Sequence, residues 1–175
     1  PFHLSYPQVF RHENSLYMLP ETSASGEVRL YVNQGTPNRW ELSSVLVERP
    51  YVDTTVVFHE DRWWLFAGGG GNDSLHLLHA ASLQGPYVEH PCSPIIAGDK
   101  ASARPAGRVL HIGDRLYRLA QSDVPCYGSK VVAAEIEQMT TTTYREGLLG
   151  NAVIEAGSEA AGDVGAKWIL IPVTP

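Results

Sequence analysis

The feature that most constrains the fold is a unit of about 50 residues that occurs three times along the chain. Each copy begins with an apolar strand, a short polar turn and a second apolar strand that carries an aromatic residue. The hairpins are YPQVFRHENSLYMLPE (6–21), VDTTVVFHEDRWWLFAG (52–68) and RPAGRVLHIGDRLYRLAQ (104–121), and their aromatic residues are Tyr17, Trp64 and Tyr117. A period of this length is typical of proteins built from repeated structural units.

Two further strand-like segments follow each hairpin. The third segments are EVRLYV (27–32), LHLLHA (75–80) and KVVAAEI (130–136), and the fourth begin with Trp40, Tyr87 and Tyr144 in the same phase. Four strands per unit are the pattern of a β-propeller blade. We therefore predict an all-β protein, a single partial β-propeller domain over residues 1–175. Its antiparallel blades are expected at about 3–49, 50–99 and 100–154, with a partial fourth blade at 155–175.

Adjacent apolar residues within single strands favour blades over a sheet with one face in water. Trp63 is followed by Trp64, and Val56 by Val57. A half-solvated sheet alternates apolar and polar residues, whereas a sheet covered on both faces does not. Blades packed face to face meet this condition. A β-sandwich is the alternative, but its strands would not be expected to recur in groups of four.

Composition and charge exclude several classes of function. The net charge is −6 and the basic residues are scattered, which argues against a nucleic-acid partner. No apolar run approaches the roughly 20 residues that cross a bilayer, so no membrane segment is predicted. The first residues lack the pattern of a secretory signal, although without an initiator Met the native start is not defined. The compartment is unknown from the sequence, and a soluble, cytoplasmic protein is the expectation.

No cofactor or metal is predicted. Cys92 and Cys126 lie in Pro-containing segments without metal-ligand spacing and are expected to be free thiols. His76 and His79 are three residues apart on one strand, so their side chains should point to opposite faces. The Gly-rich run AGGGGNDS lacks the Gly-Lys-Ser/Thr ending of a phosphate-binding loop.

Polar residues occur at the same end of each hairpin, where the first strand begins and the second strand ends. This places Tyr6 with Glu21, Asp53 with Gly68, and Arg104 with Gln121 and Asp123. Because the first strand of each blade lines the axis of a propeller, these residues should meet at one mouth of the central channel. The sequence therefore predicts a pocket there.

The residue types at this mouth suit carbohydrate chemistry. Glycoside cleavage uses two carboxyl groups, about 5 Å apart for retention of configuration or roughly 6.5–9.5 Å apart for inversion. The catalytic candidates are Asp53, Glu21 and Asp123, and the substrate-binding candidates are Tyr6, Arg104, Gln121 and His3. Arg104 is expected to pair with Asp53, and Tyr6 to pack on a sugar ring.

Each of these residues also has a purely structural interpretation. Asp53 could accept backbone hydrogen bonds at a turn, Glu21 could be a solvated loop residue, and Arg104 could be a structural ion-pair partner. The polarity of the same end in all three repeats favours the functional interpretation of the group.

The ordered segments HLSYPQVF, YVDTTVVFHEDRWWLFAG, SARPAGRVL and YGSKVVAAEIEQMTTTTYRE resemble a known family. They are similar to the propeller domain of plant glucosamine inositolphosphorylceramide transferases and their bacterial relatives, over about residues 3–152. Behind that family stands the wider five-bladed clan of arabinanases, xylosidases, invertases and levansucrases. The resemblance implies that acids at the starts of blade strands carry out catalysis there, and Asp53 matches such a strand start.

Two departures limit what the resemblance implies. A five-bladed member would continue beyond the segment GSEAAGDVGAKWILIPVTP, so the chain corresponds to a truncated propeller and lacks any acid from a later blade. In the plant enzymes the transferase activity resides in a separate domain. The resemblance therefore implies a sugar-related propeller rather than a transferase.

Three functions remain open at this point. The first is a glycoside hydrolase-like propeller that acts on or binds carbohydrate or a glycoconjugate, with Asp53 as base, nucleophile or stabiliser. The second is a non-catalytic carbohydrate-binding or assembly module, and the third is an inactive scaffold. Because three blades leave apolar flanks uncovered, we also expect a homodimer through the open blade ends, with the segment from Trp168 to Val173 in the contact.

Overall fold

The computed structural model describes residues 2–156 and 168–170, and three consecutive antiparallel sheets account for most of them. The first sheet has the order β1-β2-β3-β4, with a short 3₁₀ turn at Ser23–Ser25 between β2 and β3. Its strands are β1 (Ser5–His12), β2 (Ser15–Glu21), β3 (Val28–Asn33) and β4 (Trp40–Val47).

The second sheet has the order β5-β6-β7-β8, and the short strand β9 also pairs with β7. Its strands are β5 (Val52–His59), β6 (Arg62–Gly68), β7 (Ser74–Ala80), β8 (Val88–Glu89) and β9 (Ile96–Ala97). The expected fourth strand is therefore split. Pro91 and Pro94 have no N–H to donate to β7, so the chain leaves the sheet between β8 and β9.

The third sheet has the order β10-β12-β13-β14-β15, and β11 also pairs with β12. Its strands are β10 (Arg104–Pro105), β11 (Leu110–Ile112), β12 (Arg115–Ser122), β13 (Lys130–Met139), β14 (Tyr144–Ala156) and β15 (Trp168–Leu170). The expected first strand is interrupted around Gly107, whose φ of 129° is a conformation that favours glycine.

The all-β, propeller-type prediction is confirmed by these sheets. Tyr17, Trp64 and Tyr117 occupy the same register position, two residues after the residue that closes each hairpin turn. The partial fourth blade falls mainly on residues 157–167 and 171–175, which lie outside the described residues. Of that segment, Trp168–Leu170 pair with β14 and so extend the third sheet.

Both faces of the second sheet are covered, which explains its unbroken apolar strands. One core lies between the first and second sheets and contains Val56 and Trp63. A second core lies towards the third sheet and contains Val57 and Trp64. Because neighbouring residues of a strand point to opposite faces, each adjacent apolar pair supplies both cores.

Side chains also join the sheets where inner strands leave backbone groups unpaired. The Gln8 side-chain amide donates to the Val56 carbonyl oxygen at 2.8 Å, and the Gln8 Oε1 atom accepts the Val56 N–H at 2.8 Å. The amide thus replaces the two bonds that a neighbouring strand would make. This contact ties the first sheet to the inner strand of the second.

Two further findings concern membrane-spanning helices and metal-binding side chains. Within the described part of the chain, no helix is long and apolar enough to cross a membrane. Among the same residues, no group of three or more His, Cys, Asp or Glu side chains could hold a metal ion. Cys92 and Cys126 are free and exposed.

The outer face of the first sheet carries an apolar row. Val9, Met18, Tyr31 and Leu42 are direct cross-strand partners and lie on the face opposite the first core. Val9 is 39% exposed and Leu42 is 49% exposed. We propose that this face associates with a second copy of the chain, since burying apolar area is favourable at about 25 cal/mol per Å².

Light scattering on a sizing column at micromolar concentration should therefore give about twice the monomer mass of 19.2 kDa. Leu42→Glu should yield monomers because it puts a charge into the apolar row, whereas Val88→Glu, at an exposed residue of the second sheet, should leave the dimer intact. A monomeric parent protein would contradict the proposal. The sequence placed Trp168 to Val173 in the contact; residues 171–173 of that segment lie outside the described residues, and its role in the contact stays a prediction.

The Gln8 bridge makes a separate prediction about stability. Gln8→Ala leaves both backbone groups of Val56 without these partners and should lower the free energy of unfolding by about 2 kcal/mol. Gln34→Ala is the matched control, because the exposed Gln34 side chain makes no hydrogen bond among the described residues. Urea denaturation measures both changes. Equal stability of the two variants would show that the bridge contributes little.

Candidate functional site

The inner strands of the three sheets begin around an open pocket of about 850 Å³. Its lining includes candidates from all three repeats, together with apolar side chains of the third sheet. The lining residues are His3, Ser5, Tyr6, Asp53, Arg104, Pro105, Ala106, Gln121, Tyr127, Val131 and Ile154. The expected convergence of the strand starts is therefore present in the structure.

The hairpins bring matching positions to this mouth. Ser5 pairs with Glu21, Val52 with Gly68, and Arg104 with Gln121. At the middle hairpin a side chain would not fit easily, because a Cβ atom on Gly68 would lie 3.4 Å from Pro105 Cδ and 3.1 Å from the Val52 carbonyl oxygen. Glycine thus permits the close approach of the Val52 backbone at this end of the hairpin.

Asp53 and Arg104 form the charged centre of the pocket. Arg104 Nε lies 2.7 Å from Asp53 Oδ2, and the Asp53 side chain is 4% exposed. This distance makes a close ion pair, in which Asp53 Oδ2 is buried against the guanidinium. Both residues line the pocket, so a ligand there would lie against the charged pair.

Glu21 approaches Asp53 from the first sheet but does not line the pocket. The Asp53 backbone N–H donates to Glu21 Oε2 at 3.4 Å, and the Ser23 hydroxyl donates to Glu21 Oε1 at 2.9 Å. Glu21 is therefore a supporting residue in this geometry. Its role as a second catalytic acid stays a prediction.

Two residues at the mouth have left-handed backbone conformations. Tyr6 has a φ of 45° and Asp53 a φ of 47°, and each lies at an irregularity in the pairing of the first hairpin strand. A non-glycine residue in this region costs on the order of 1 kcal/mol or more, and such strain often accompanies functional sites. The two irregularities turn Tyr6 and Asp53 towards the same pocket.

The Tyr6 hydroxyl is engaged by the protein itself. It accepts the backbone N–H of Gly107 and lies 3.5 Å from Thr55 Oγ1. Burial raises the pKa of Tyr6 above its ordinary value, although its hydrogen-bond partners oppose that change. Tyr6 therefore joins the three sheets through its hydroxyl and presents only its ring to the pocket. Its predicted contact with a sugar is untested.

Asp123 lies close to the pocket but is not part of its lining. Its carboxylate accepts from Gln121 Nε2 at 3.0 Å, from Asn72 Nδ2 at 3.0 Å and from the Gly128 backbone N–H at 3.2 Å. Burial opposes ionisation, but these hydrogen bonds hold the pKa of Asp123 below its ordinary value. An ionised carboxylate with three donors is poorly placed to transfer a proton, and its catalytic role stays a prediction.

Sequence reasoning missed Tyr127, which lies on the loop between β12 and β13. Its side chain is 65% exposed, and the Arg104 guanidinium carbon lies 4.7 Å from its ring centroid. No repeat pattern singles out this residue, because the loop differs among the three blades. Of the remaining candidates, Gln121 is half-buried and His3 is exposed, and both line the pocket.

A family model described as "Glucosamine inositolphosphorylceramide transferase 1, N-terminal" matches residues 1–161. The chain belongs to this family. The protein named glucosamine inositolphosphorylceramide transferase 1 from Oryza sativa subsp. indica is 39% identical over 152 residues, and the Arabidopsis thaliana protein of that name is 33% identical over 152 residues. Each alignment covers 83% of this chain but 20% of the relative, so the chain spans a fifth of these proteins.

The chain shares its fold with part of the five-bladed GH43 glycosidase propellers. An exo-β-1,3-galactanase from Phanerochaete chrysosporium superposes with a TM-score of 0.63 at 12% identity, covering 94% of this chain and 39% of the enzyme. A GH43_1 enzyme from Xanthomonas citri complexed with xylotriose gives 0.60 at 12% identity, covering 86% and 55%. At these identities the likeness shows the fold alone. The resemblance to this family and to glycosidase propellers, which the sequence indicated, is confirmed.

The protonation of Asp53 makes the stability of the protein depend on pH. Burial raises the pKa of Asp53 to about 6, the Arg104 charge opposes that shift, and the Glu21 carboxylate adds to it. The folded protein therefore keeps this proton between pH 4 and 6, whereas the unfolded chain releases it. The resulting stabilisation is complete below the ordinary pKa of 3.8 and is lost as the pH rises through about 6.

Urea denaturation from pH 4 to 7 should reveal this contribution. The free energy of unfolding of the parent protein, minus that of Asp53→Asn, should fall by on the order of 2 kcal/mol across pH 4–6 and then level off. Asp61→Asn, in the exposed turn between β5 and β6, should show no such trend. A difference between parent and Asp53→Asn that does not vary with pH would contradict this account.

Proposed function

We propose that this domain binds a carbohydrate or glycoconjugate at the pocket around Asp53 and Arg104, without cleaving it. The observation that carries the proposal is the Asp53–Arg104 ion pair, with Arg104 Nε 2.7 Å from Asp53 Oδ2, because both of its residues line the open pocket. Ligand hydroxyls can accept from a guanidinium and donate to a carboxylate. Largely preformed pockets with a few polar groups are the usual form of small-molecule sites.

The rest of the lining supports a neutral, polyhydroxylated ligand. Gln121 offers an amide and Arg104 a planar array of donors, and both stand beside the rings of Tyr6 and Tyr127. Amides and guanidinium groups can bond hydroxyl oxygens, and aromatic rings can pack against apolar C–H surfaces. The GH43 propellers, with the same fold, include enzymes crystallised with galactose and xylotriose.

Binding is favoured over hydrolysis because the pocket presents one carboxyl group among the described residues. Asp53 lines it, while Glu21 and Asp123 do not. Glycoside cleavage by the usual route needs two carboxyl groups on either side of the bond. The alternative, a hydrolase that uses Asp53 with Glu21, rests on the contact between Glu21 Oε2 and the Asp53 backbone N–H. The inactive-scaffold alternative requires that no sugar binds.

The relatives bear the name of a transferase, but this chain covers a fifth of their length. We therefore propose a recognition role for the domain rather than the transfer reaction. In this view the pocket holds a sugar-containing portion of a larger molecule while chemistry takes place elsewhere in a longer protein.

Titration with galactose, xylose, xylotriose, β-1,3-galactotriose and glucosamine, followed by protein NMR, tests the proposal. At least one sugar should shift the backbone signals of Asp53 and Gln121, and Asp53→Asn should weaken its binding at least 10-fold, about 1.4 kcal/mol, while the protein stays folded. Asp61→Asn should bind as the parent protein does. Arg104→Lys keeps the charge but loses the planar fork, so it should also weaken binding.

Incubation with the two trisaccharides separates the alternatives. We expect no release of reducing sugar by the parent protein. Hydrolysis that is abolished by both Asp53→Asn and Glu21→Gln would replace binding with the glycosidase alternative. If none of the five sugars shifts any signal, the carbohydrate proposal is wrong and the scaffold alternative stands.

A further inference from the structure

The loop between β12 and β13 carries an exposed aromatic ring at the edge of the pocket. Tyr127 is 65% exposed and lines the pocket, and the Arg104 guanidinium covers one face of its ring at 4.7 Å. Arg104 is itself held by Asp53. The ring is thus oriented by the charged centre of the site, while its exposure leaves the opposite face open.

Hydrogen bonds hold this loop in one conformation. Asp123 stands at its start and accepts from Gly128 near its end, and the Ser129 hydroxyl donates to the Val124 carbonyl oxygen at 2.7 Å. Asn72, from the second sheet's β6–β7 loop, donates to the Asp123 carboxylate at 3.0 Å. The loop is therefore closed on itself and anchored to the neighbouring blade.

We propose that Tyr127 is the stacking surface for the sugar ring and that Asp123 is the residue that positions it. This inference rests on the proposed carbohydrate function and narrows its ligand to a pyranose that presents an apolar C–H face. Such a face packs against the open face of the Tyr127 ring, the face opposite the Arg104 guanidinium. Asp123 acts through the loop and does not touch the ligand.

A single exposed tyrosine is ordinary on a protein surface. Three features distinguish Tyr127 from such a residue: it lines the pocket of the site, a cation of the site packs on it, and the loop beneath it is cross-linked by a carboxylate with three donors.

NMR titration with galactose and xylose as probes gives the test. Tyr127→Ala should weaken binding of the better probe about 5- to 10-fold, and Tyr127→Phe should stay within about 2-fold because stacking needs the ring and not the hydroxyl. Ile112→Ala, at an exposed apolar residue away from the pocket, is the matched control and should bind as the parent does.

The positioning role of Asp123 is tested by a double-mutant cycle. Asp123→Ala should weaken binding, and adding it to Tyr127→Ala should cause little further loss, because both changes remove the same contact. Asn72→Gly is the milder variant: it removes only the bond from the second sheet, and glycine accepts the φ of 60° at that position. Asn72→Gly should shift the Gly128 amide signal and weaken binding in the same direction.

The outcomes separate this inference from the proposed function. Binding that is lost in Asp53→Asn but unchanged in Tyr127→Ala would overturn the stacking role and leave the carbohydrate site in place. Additive effects of Asp123→Ala and Tyr127→Ala would overturn the positioning role and indicate that Asp123 contacts the ligand itself. If the parent protein binds neither galactose nor xylose but binds another sugar, the stacking inference for a simple pyranose is wrong. If it binds no sugar at all, both the stacking inference and the proposed carbohydrate function are wrong.

Discussion

Unpaired backbone groups on the inner strands impose the constraint on which the rest of the structure depends. The first strand of each sheet has a neighbour on one side only, and a buried N–H or C=O without a partner is costly. Here side chains of one sheet satisfy the backbone of the next: Gln8 bonds both polar groups of Val56, and the Tyr6 hydroxyl accepts the N–H of Gly107. The Thr55 hydroxyl donates to the Gly107 carbonyl oxygen at 3.2 Å. These bonds fix the three sheets relative to one another.

The same constraint creates the site. Where the inner strands begin, their pairing becomes irregular, and Tyr6 and Asp53 take left-handed conformations beside Arg104. The surrounding cores hold these conformations in place, and the result is a buried carboxylate paired with a guanidinium at the pocket. Strain, burial and charge coincide at one end of the strands. Natural proteins depart from local rules in this way mainly at functional sites.

A second polar cluster shows what a structural ion pair looks like in the same protein. The Arg118 side chain is buried between β12 and β14, with Nε donating to Glu146 Oε2 at 2.8 Å and Nη1 donating to the Ser102 carbonyl oxygen at 2.9 Å. Burial lowers the pKa of Arg118 and the Glu146 carboxylate raises it, and the pKa stays above its ordinary value. Arg118 and Glu146 both have hydrogen-bond partners. Asp53 and Arg104 differ from this pair because both line the open pocket and Asp53 has a left-handed backbone conformation, and the site is therefore assigned to them.

The sequence by itself determined the blade pattern and the end at which the polar residues meet. Both follow from local rules: short polar turns fix each hairpin, and adjacent apolar pairs such as Val56 and Val57 require two buried faces. Only the tertiary structure decided which candidates face the pocket. One of the three donors to Asp123 is Asn72, 51 residues away, and Tyr127 enters the site through its contact with Arg104. Such contacts join residues far apart in the chain, and no periodicity or spacing within one segment encodes them.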